Sequence, residues 1–212
     1  MTDAPRLIET MRADGGRIAL LDLHLARLAA SADALGYGLD ADAVRQRAAG
    51  AAGAVGEGGH VVRLTLGPAG DVEVETRALD GAPLRTAWVD PEPFRDAGSP
   101  RCTHKTTDRG HYRRRWDRAR ARGADEAVLV NAHGEVTEGT RTNVWARLDG
   151  RLWTPPVAAG GLAGVYRAHV LATHPDAGER TLTPGDLGRA EAVFLTNAVR
   201  GWMPVRLVEG VR

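Results

Sequence analysis

Two side chains with complementary chemistry stand in the middle of this chain. Lys105 opens the run K-T-T-D-R-G-H-Y, and Glu138 sits within N-A-H-G-E-V-T-E-G-T-R-T-N. A lysine amine forms a Schiff base with an aldehyde, and a carboxylate keeps a proton on a ring nitrogen. Together they could serve pyridoxal phosphate chemistry. Lysine and glutamate pairs are frequent in any chain of this size, so the pair becomes specific only through its surroundings.

Three other features could bind an anion. Gly160-Gly161-Leu162-Ala163-Gly164-Val165-Tyr166-Arg167 places a glycine-rich turn before a predicted helix, where free N–H groups and the helix dipole suit a phosphate. Phe194-Leu195-Thr196-Asn197-Ala198 runs a buried strand into a polar turn that could complete the cradle. Arg27, in H-L-A-R-L, breaks an apolar helical stripe and could add a fixed cation. Each also has a plain structural reading: a tight turn, an ordinary strand end, and a surface arginine lying along an apolar face.

The elements that must position these groups can be read from periodicity. Residues 6–12 read as a strand, 13–16 as a turn and 18–21 as the returning strand. Asp22 is the expected N-cap of a helix carrying Leu25, Leu28, Ala32 and Leu35, which Gly36 ends. A second helix spans 41–52, and 61–67 with 72–78 form a hairpin. These make a small α+β domain over residues 1–79, followed by a linker. The larger domain, 84–212, holds strands at 85–89 and 127–131 and a helix at 108–122. A hairpin return follows at 136–137, then strands at 143–148 and 151–154, a helix at 165–173, and strands at 192–196 and 205–208.

Composition narrows the classes further. With 212 residues, 43% hydrophobic and 26% charged, the chain has ordinary globular content. A formal net charge of +1 gives no general pull toward nucleic acid or acidic membrane. The Arg113-Arg114-Arg115 run reads as a solvated helix face. A single cysteine, Cys102, permits no internal disulfide, and seven scattered histidines show no metal-ligand spacing. No stretch is long and apolar enough for a membrane span, so a cytoplasmic protein is expected.

The order of these pieces resembles the class IV aminotransferases, the pyridoxal-phosphate enzymes of fold type IV. The similar segments are L-I-E-T-M-R, H-L-A-R-L, K-T-T-D-R, D-E-A-V-L-V-N-A-H-G-E-V-T-E-G-T-R-T-N-V-W, T-P-P, G-L-A-G-V-Y-R and F-L-T-N-A-V-R-G-W-M-P-V. They run in family order over nearly the whole chain. The resemblance implies a two-domain fold like that of D-amino acid aminotransferase, with a small N-terminal α/β sandwich and a larger, mixed, barrel-like sheet. It also implies a homodimer. Lys105 matches the Schiff-base lysine, Glu138 the acid paired with the pyridine nitrogen, and Arg27 the phosphate arginine. Val165, Tyr166, Thr196 and Asn197 match the two phosphate-cradling turns, and Asn143 the support of the loop behind the ring.

Departures concern the substrate pocket. Relatives carry a longer N-terminus with a G-D-G-like turn, and Ile8 replaces a common aromatic residue. The tyrosine that holds the cofactor's phenolic oxygen in branched-chain enzymes falls near Gly110, with Tyr112 close by and Arg109 an alternative. The ending T-N-A-V-R-G-W-M-P-V resembles the lyase branch, which converts 4-amino-4-deoxychorismate to 4-aminobenzoate and pyruvate. Arg200 there could face a substrate carboxylate. An aminotransferase acting on branched-chain or D-amino acids is the alternative, and a non-catalytic relative keeping the fold is a third.

Overall fold

The sequence L-I-E-T-M-R-A-D alternates, and strand β1 (Leu7–Asp14) turns Leu7, Met11 and Ala13 into a core while Thr10 and Arg12 face outward. The computed structural model describes residues 4–209. It divides into two units: Met1–Gly81 with His104–Asp108, and Ala82–Thr103 with Arg109–Arg212.

In the first unit, β1 pairs antiparallel with β2 (Arg17–Ile18) and β3 (His60–Leu66), and β4 (Val72–Ala78) closes the order β2-β1-β3-β4. Helices α1 (Leu21–Leu35) and α2 (Ala41–Gly53) supply the other side of the core through Leu28, Ala32, Val44, Ala48 and Ala52. Burying a leucine such as Leu28 contributes about 1.5–3 kcal/mol. Gly36 ends α1 as expected, with φ 69° and its N–H bonded to the last turn. Asp22 is not the N-cap. The chain enters α1 at Leu20 in a left-handed conformation with no side-chain cap, and Asp22, in the first turn, pairs with Arg45 at 2.7 Å.

The segment with Lys105 belongs to this first unit, not to the larger domain in which the sequence placed it. Its backbone pairs with β1: the N–H of Ile8 donates to the carbonyl of Lys105 at 2.8 Å, and the N–H of Thr107 to that of Arg6 at 2.8 Å. A bridge joins Leu7 and Thr106. Long-range pairing of this kind leaves no mark in local composition.

The second unit contains β5 (Thr86–Val89), α3 (Pro100–Thr103), α4 (Gly110–Arg120), β6 (Glu126–Val130), β7 (Val136–Gly139), β8 (Asn143–Leu148) and β9 (Arg151–Thr154). It continues with α5 (Val165–Thr173), β10 (Ala177–Glu179), α6 (Pro184–Arg189), β11 (Ala192–Asn197) and β12 (Gly201–Leu207). One mixed sheet runs β10-β9-β8-β11-β12-β5-β6-β7 and curls so that its end strand β7 comes beside β8. The pairs β9/β10, β5/β12 and β5/β6 are parallel, and the rest antiparallel. The core on this sheet includes Val128, Val144, Ala146, Leu187, Leu195 and Met203. Three of these elements were not legible in the sequence: α3, of four residues, β10, of three, and α6, of six, are too short to show a period. Among the described residues no helix is long and apolar enough to cross a membrane. No group of three or more His, Cys, Asp or Glu among them is placed to hold a metal.

Candidate active site

Glu138 lies on β7, whose four residues are all buried. A carboxylate 4% exposed must be met by donors. Tyr112, from α4, donates its hydroxyl to Oε1 at 2.5 Å, and the backbone N–H of Leu162 donates to Oε2 at 3.2 Å. Tyr112 is packed between Phe94 and His111, with ring centroids 5.5 and 4.3 Å away. Burial first, and then the charge of Glu138, push its phenol far above the ordinary range, so the hydroxyl keeps its proton. The Arg109 guanidinium lies 4.4 Å over the Tyr112 ring and donates to the Thr140 carbonyl at 2.5 Å.

The glycine-rich stretch is a turn pinned at several points. The carbonyl of Gly160 accepts from the N–H of Gly98 at 2.9 Å, and the carbonyl of Ala159 from Asn131 Nδ2 at 3.0 Å. Asn143 Nδ2 donates to the Leu162 carbonyl at 3.0 Å, which gives Asn143 the loop-supporting place expected for it. Helix α5 then starts at Val165 with Gly164 as N-cap and no side-chain cap. A Cβ at Gly164 would stand 1.8 Å from Asn143 Oδ1, so a side chain there would have to displace the Asn143 amide. An N-terminus without a side-chain cap is where an anion fits.

The second polar turn comes to the same end of α5. Gly201, with φ 65°, closes the turn between β11 and β12, and a Cβ there would meet the Tyr166 hydroxyl at 3.2 Å. Thr196 is fully buried, and its Oγ1 accepts from the Trp145 indole N–H at 3.0 Å. Asn197 Oδ1 accepts from the N–H groups of Val199 and Arg200 at 3.1 and 2.9 Å, so that oxygen shapes the turn. Thus Val165, Tyr166, Thr196 and Asn197 fall on two neighbouring turns. Arg200 is half-buried on the second of them.

In the first unit, Arg27 is held by Glu9, with Nε and Nη2 donating to the two carboxylate oxygens at 2.8 and 2.6 Å. His24 Nδ1 donates to Glu9 Oε2 at 2.6 Å. Glu9 is 2% exposed. Burial raises its pKa, but the Arg27 charge and the hydrogen bonds from His24 and Arg27 hold it below the usual carboxylate range. Lys105 is half-buried, on the segment paired with β1.

Sequence reasoning did not single out Glu9, His24 or the Tyr112–Glu138 bond. A signal for Glu9 was present, because it alternates with Leu7, Met11 and Ala13 on the face of β1 that enters the core. An acid at such a position needs cationic partners, and His24 and Arg27 stand one helical turn apart. Nothing local announces the bond from Tyr112 to Glu138. The residues present fit pyridoxal phosphate. The first unit carries a half-buried amine, Lys105, and the second a buried carboxylate, Glu138, and a helix N-terminus without a side-chain cap at Val165.

Comparison with known proteins bears on this arrangement directly. A family model described as amino-transferase class IV matches residues 6–208. The chain is 33% identical over 205 residues to the "Putative aminodeoxychorismate lyase" of Schizosaccharomyces pombe, covering 92% of this chain and 86% of that one. The structure is similar to the crystal structure of a "Putative amino-acid aminotransferase" from Mesorhizobium loti. The TM-score there is 0.88, at 32% identity, over 97% of this chain and all of the other. Likeness to 4-amino-4-deoxychorismate lyase from Pseudomonas aeruginosa has a TM-score of 0.79 at 27% identity, over 97% and 84% of the two chains. A match that begins at β1 and ends beyond β12 takes in both units and every candidate residue above, and this chain belongs to the class IV aminotransferase family of pyridoxal-phosphate-dependent enzymes.

Proposed function

We propose that this enzyme is a lyase that converts 4-amino-4-deoxychorismate to 4-aminobenzoate and pyruvate. The observation that carries this reading is the likeness to a protein named for that activity over 92% of the chain and 86% of the relative. The T-N-A-V-R-G-W-M-P-V ending, similar to the lyase branch, supports it. Lys105 is the residue that would hold pyridoxal phosphate, and its amine would serve as the base for the proton on the carbon bearing the substrate's amine. Pyridoxal phosphate, when bound, supplies the sink for the electron pair left behind. Glu138 keeps the ring nitrogen protonated. Arg27, oriented by Glu9, and the turns at Val165-Tyr166 and Thr196-Asn197 hold the phosphate, so that Lys105 meets one face of the substrate. Loss of the proton expels the ether oxygen from the neighbouring ring carbon, the enolate so released takes a proton on its methylene carbon to become pyruvate, and the ring becomes aromatic. Arg200, and next to it Arg109, are the candidates to face a substrate carboxylate.

The test is direct. The protein is loaded with pyridoxal phosphate and given aminodeoxychorismate, and equal amounts of 4-aminobenzoate and pyruvate are expected. No product above an enzyme-free control would sink the proposal. Likeness to an amino-acid aminotransferase at 32% identity favours a second reading, transamination. That reaction converts an amino acid to its oxo acid, with loss of the cofactor's visible absorption and no need of the chorismate-derived substrate. A homodimer is part of the same proposal, supported by the family resemblance. Equilibrium sedimentation should give twice the chain mass of 22.6 kDa, and a monomer would refute it.

A further inference from the structure

We propose that Tyr112 is a positioning residue that holds and tunes the carboxylate of Glu138. This inference rests on the cofactor reading above and deepens it by assigning Tyr112 to the acid. The geometry is specific. The hydroxyl reaches Oε1 at 2.5 Å, while the N–H of Leu162 takes Oε2 at 3.2 Å. Each oxygen thus accepts from a donor on a different element, which restrains the carboxylate. A phenol that keeps its proton can only donate to a carboxylate, and such a bond favours the charged form of the acid.

The surroundings hold the hydroxyl in place. Phe94 and His111 pack on the ring, and the Arg109 guanidinium lies over its face. Cys102 completes the enclosure, with Sγ 3.8 Å from His111 Nε2. The titratable and charged groups against Tyr112 include Glu138, Arg109, His111 and Cys102. A carboxylate so held is less basic and leaves the shared proton on the ring nitrogen. Without the phenol the acid is more basic and draws that proton back.

Tyr112→Phe keeps the ring and removes the bond. Because a hydrogen bond to a charged group contributes about 1.5–3 kcal/mol, the dissociation constant for pyridoxal phosphate should rise about tenfold or more. The visible absorption of the bound cofactor should also titrate at a different pH than in the parent. In a Glu138→Gln background the same change should move cofactor affinity by no more than about twofold, since coupled residues are not additive. Equal weakening in both backgrounds, or none in either, would overturn the inference. Should Tyr112→Phe not fold, Tyr112 replaced by 3-fluorotyrosine retains shape and acidifies the donor. It should shift the visible titration, and an unshifted titration would overturn the inference as well. A parent protein that takes up no pyridoxal phosphate, and gives no borohydride-trapped adduct on Lys105, would overturn the cofactor reading itself. A parent that binds, with Tyr112→Phe unaffected, overturns only the role of Tyr112.

Discussion

Glu9 is the residue whose position departs most from its chemistry, an acid on the core face of a strand. It is tolerated there because Arg27 and His24 supply three donors within 2.8 Å. Its pKa is lower folded than unfolded, so its contribution is present above the unfolded value and lost as pH falls through the folded one. The parent's thermal midpoint should therefore drop below about pH 4, the ordinary carboxylate range. Glu9→Gln should lower stability near neutral pH by roughly 1–3 kcal/mol and leave a flatter acid limb. Parallel melting curves of the two proteins across that range would refute the assignment. Arg27 also loses its bidentate partner in this variant, so cofactor affinity should fall although Glu9 touches only Arg27 and His24. Retained affinity would show that Arg27 needs no such support.

The stretch from Ala159 to Gly164 accepts hydrogen bonds from Asn131, Gly98 and Asn143 and ends in a helix without a side-chain cap. An added Cβ would meet close neighbours at two of its glycines. At Gly160, φ is 106° and an added Cβ would stand 2.5 Å from the backbone of Gly98. At Gly164 the obstruction is one movable group, the Asn143 amide. The two glycines should therefore respond differently. Gly160→Ala meets rigid backbone in a left-handed conformation and should destabilise by about 1–3 kcal/mol, whatever else is changed. Gly164→Ala can be accommodated if Asn143 moves, so Asn143→Ala should absorb most of its effect. The double variant should lie at least ~0.5 kcal/mol above the additive sum in denaturant melts. Additivity would mean that Asn143 is not what excludes a side chain there. Either substitution should weaken cofactor binding, because both displace the Leu162 N–H that donates to Glu138.

Across the whole molecule, legibility in the sequence followed length and locality. The strand over 72–78 and the helix over 165–173 have the bounds that periodicity predicted, since each carries its own pattern. The strands β5, β6 and β12 were predicted, but their parallel pairing left no local mark, because strands that pair across long separations share no turn. Lys105 was legible as chemistry but not as a member of the first unit, since the partner that claims its segment is β1. Glu138 was legible as a candidate through its polar turn, and Tyr112 and the Leu162 N–H that donate to it were not. A cofactor held by the proposed residues has a thermodynamic consequence. A ligand that binds only the folded chain stabilises it by RT ln(1 + [L]/Kd), about 2.7 kcal/mol at a hundredfold excess over Kd. For a chain of this length that corresponds to a rise in melting midpoint of roughly 5–10 °C. Lys105→Ala in the first unit and Glu138→Ala in the second should each reduce the rise at the same cofactor concentration. Lys105→Ala should also abolish borohydride trapping, while Glu138→Ala should keep it at a weaker Kd. Calorimetry with and without pyridoxal phosphate would decide the matter. A rise that survives both substitutions unchanged would place the cofactor away from these residues and remove the basis for the proposed chemistry.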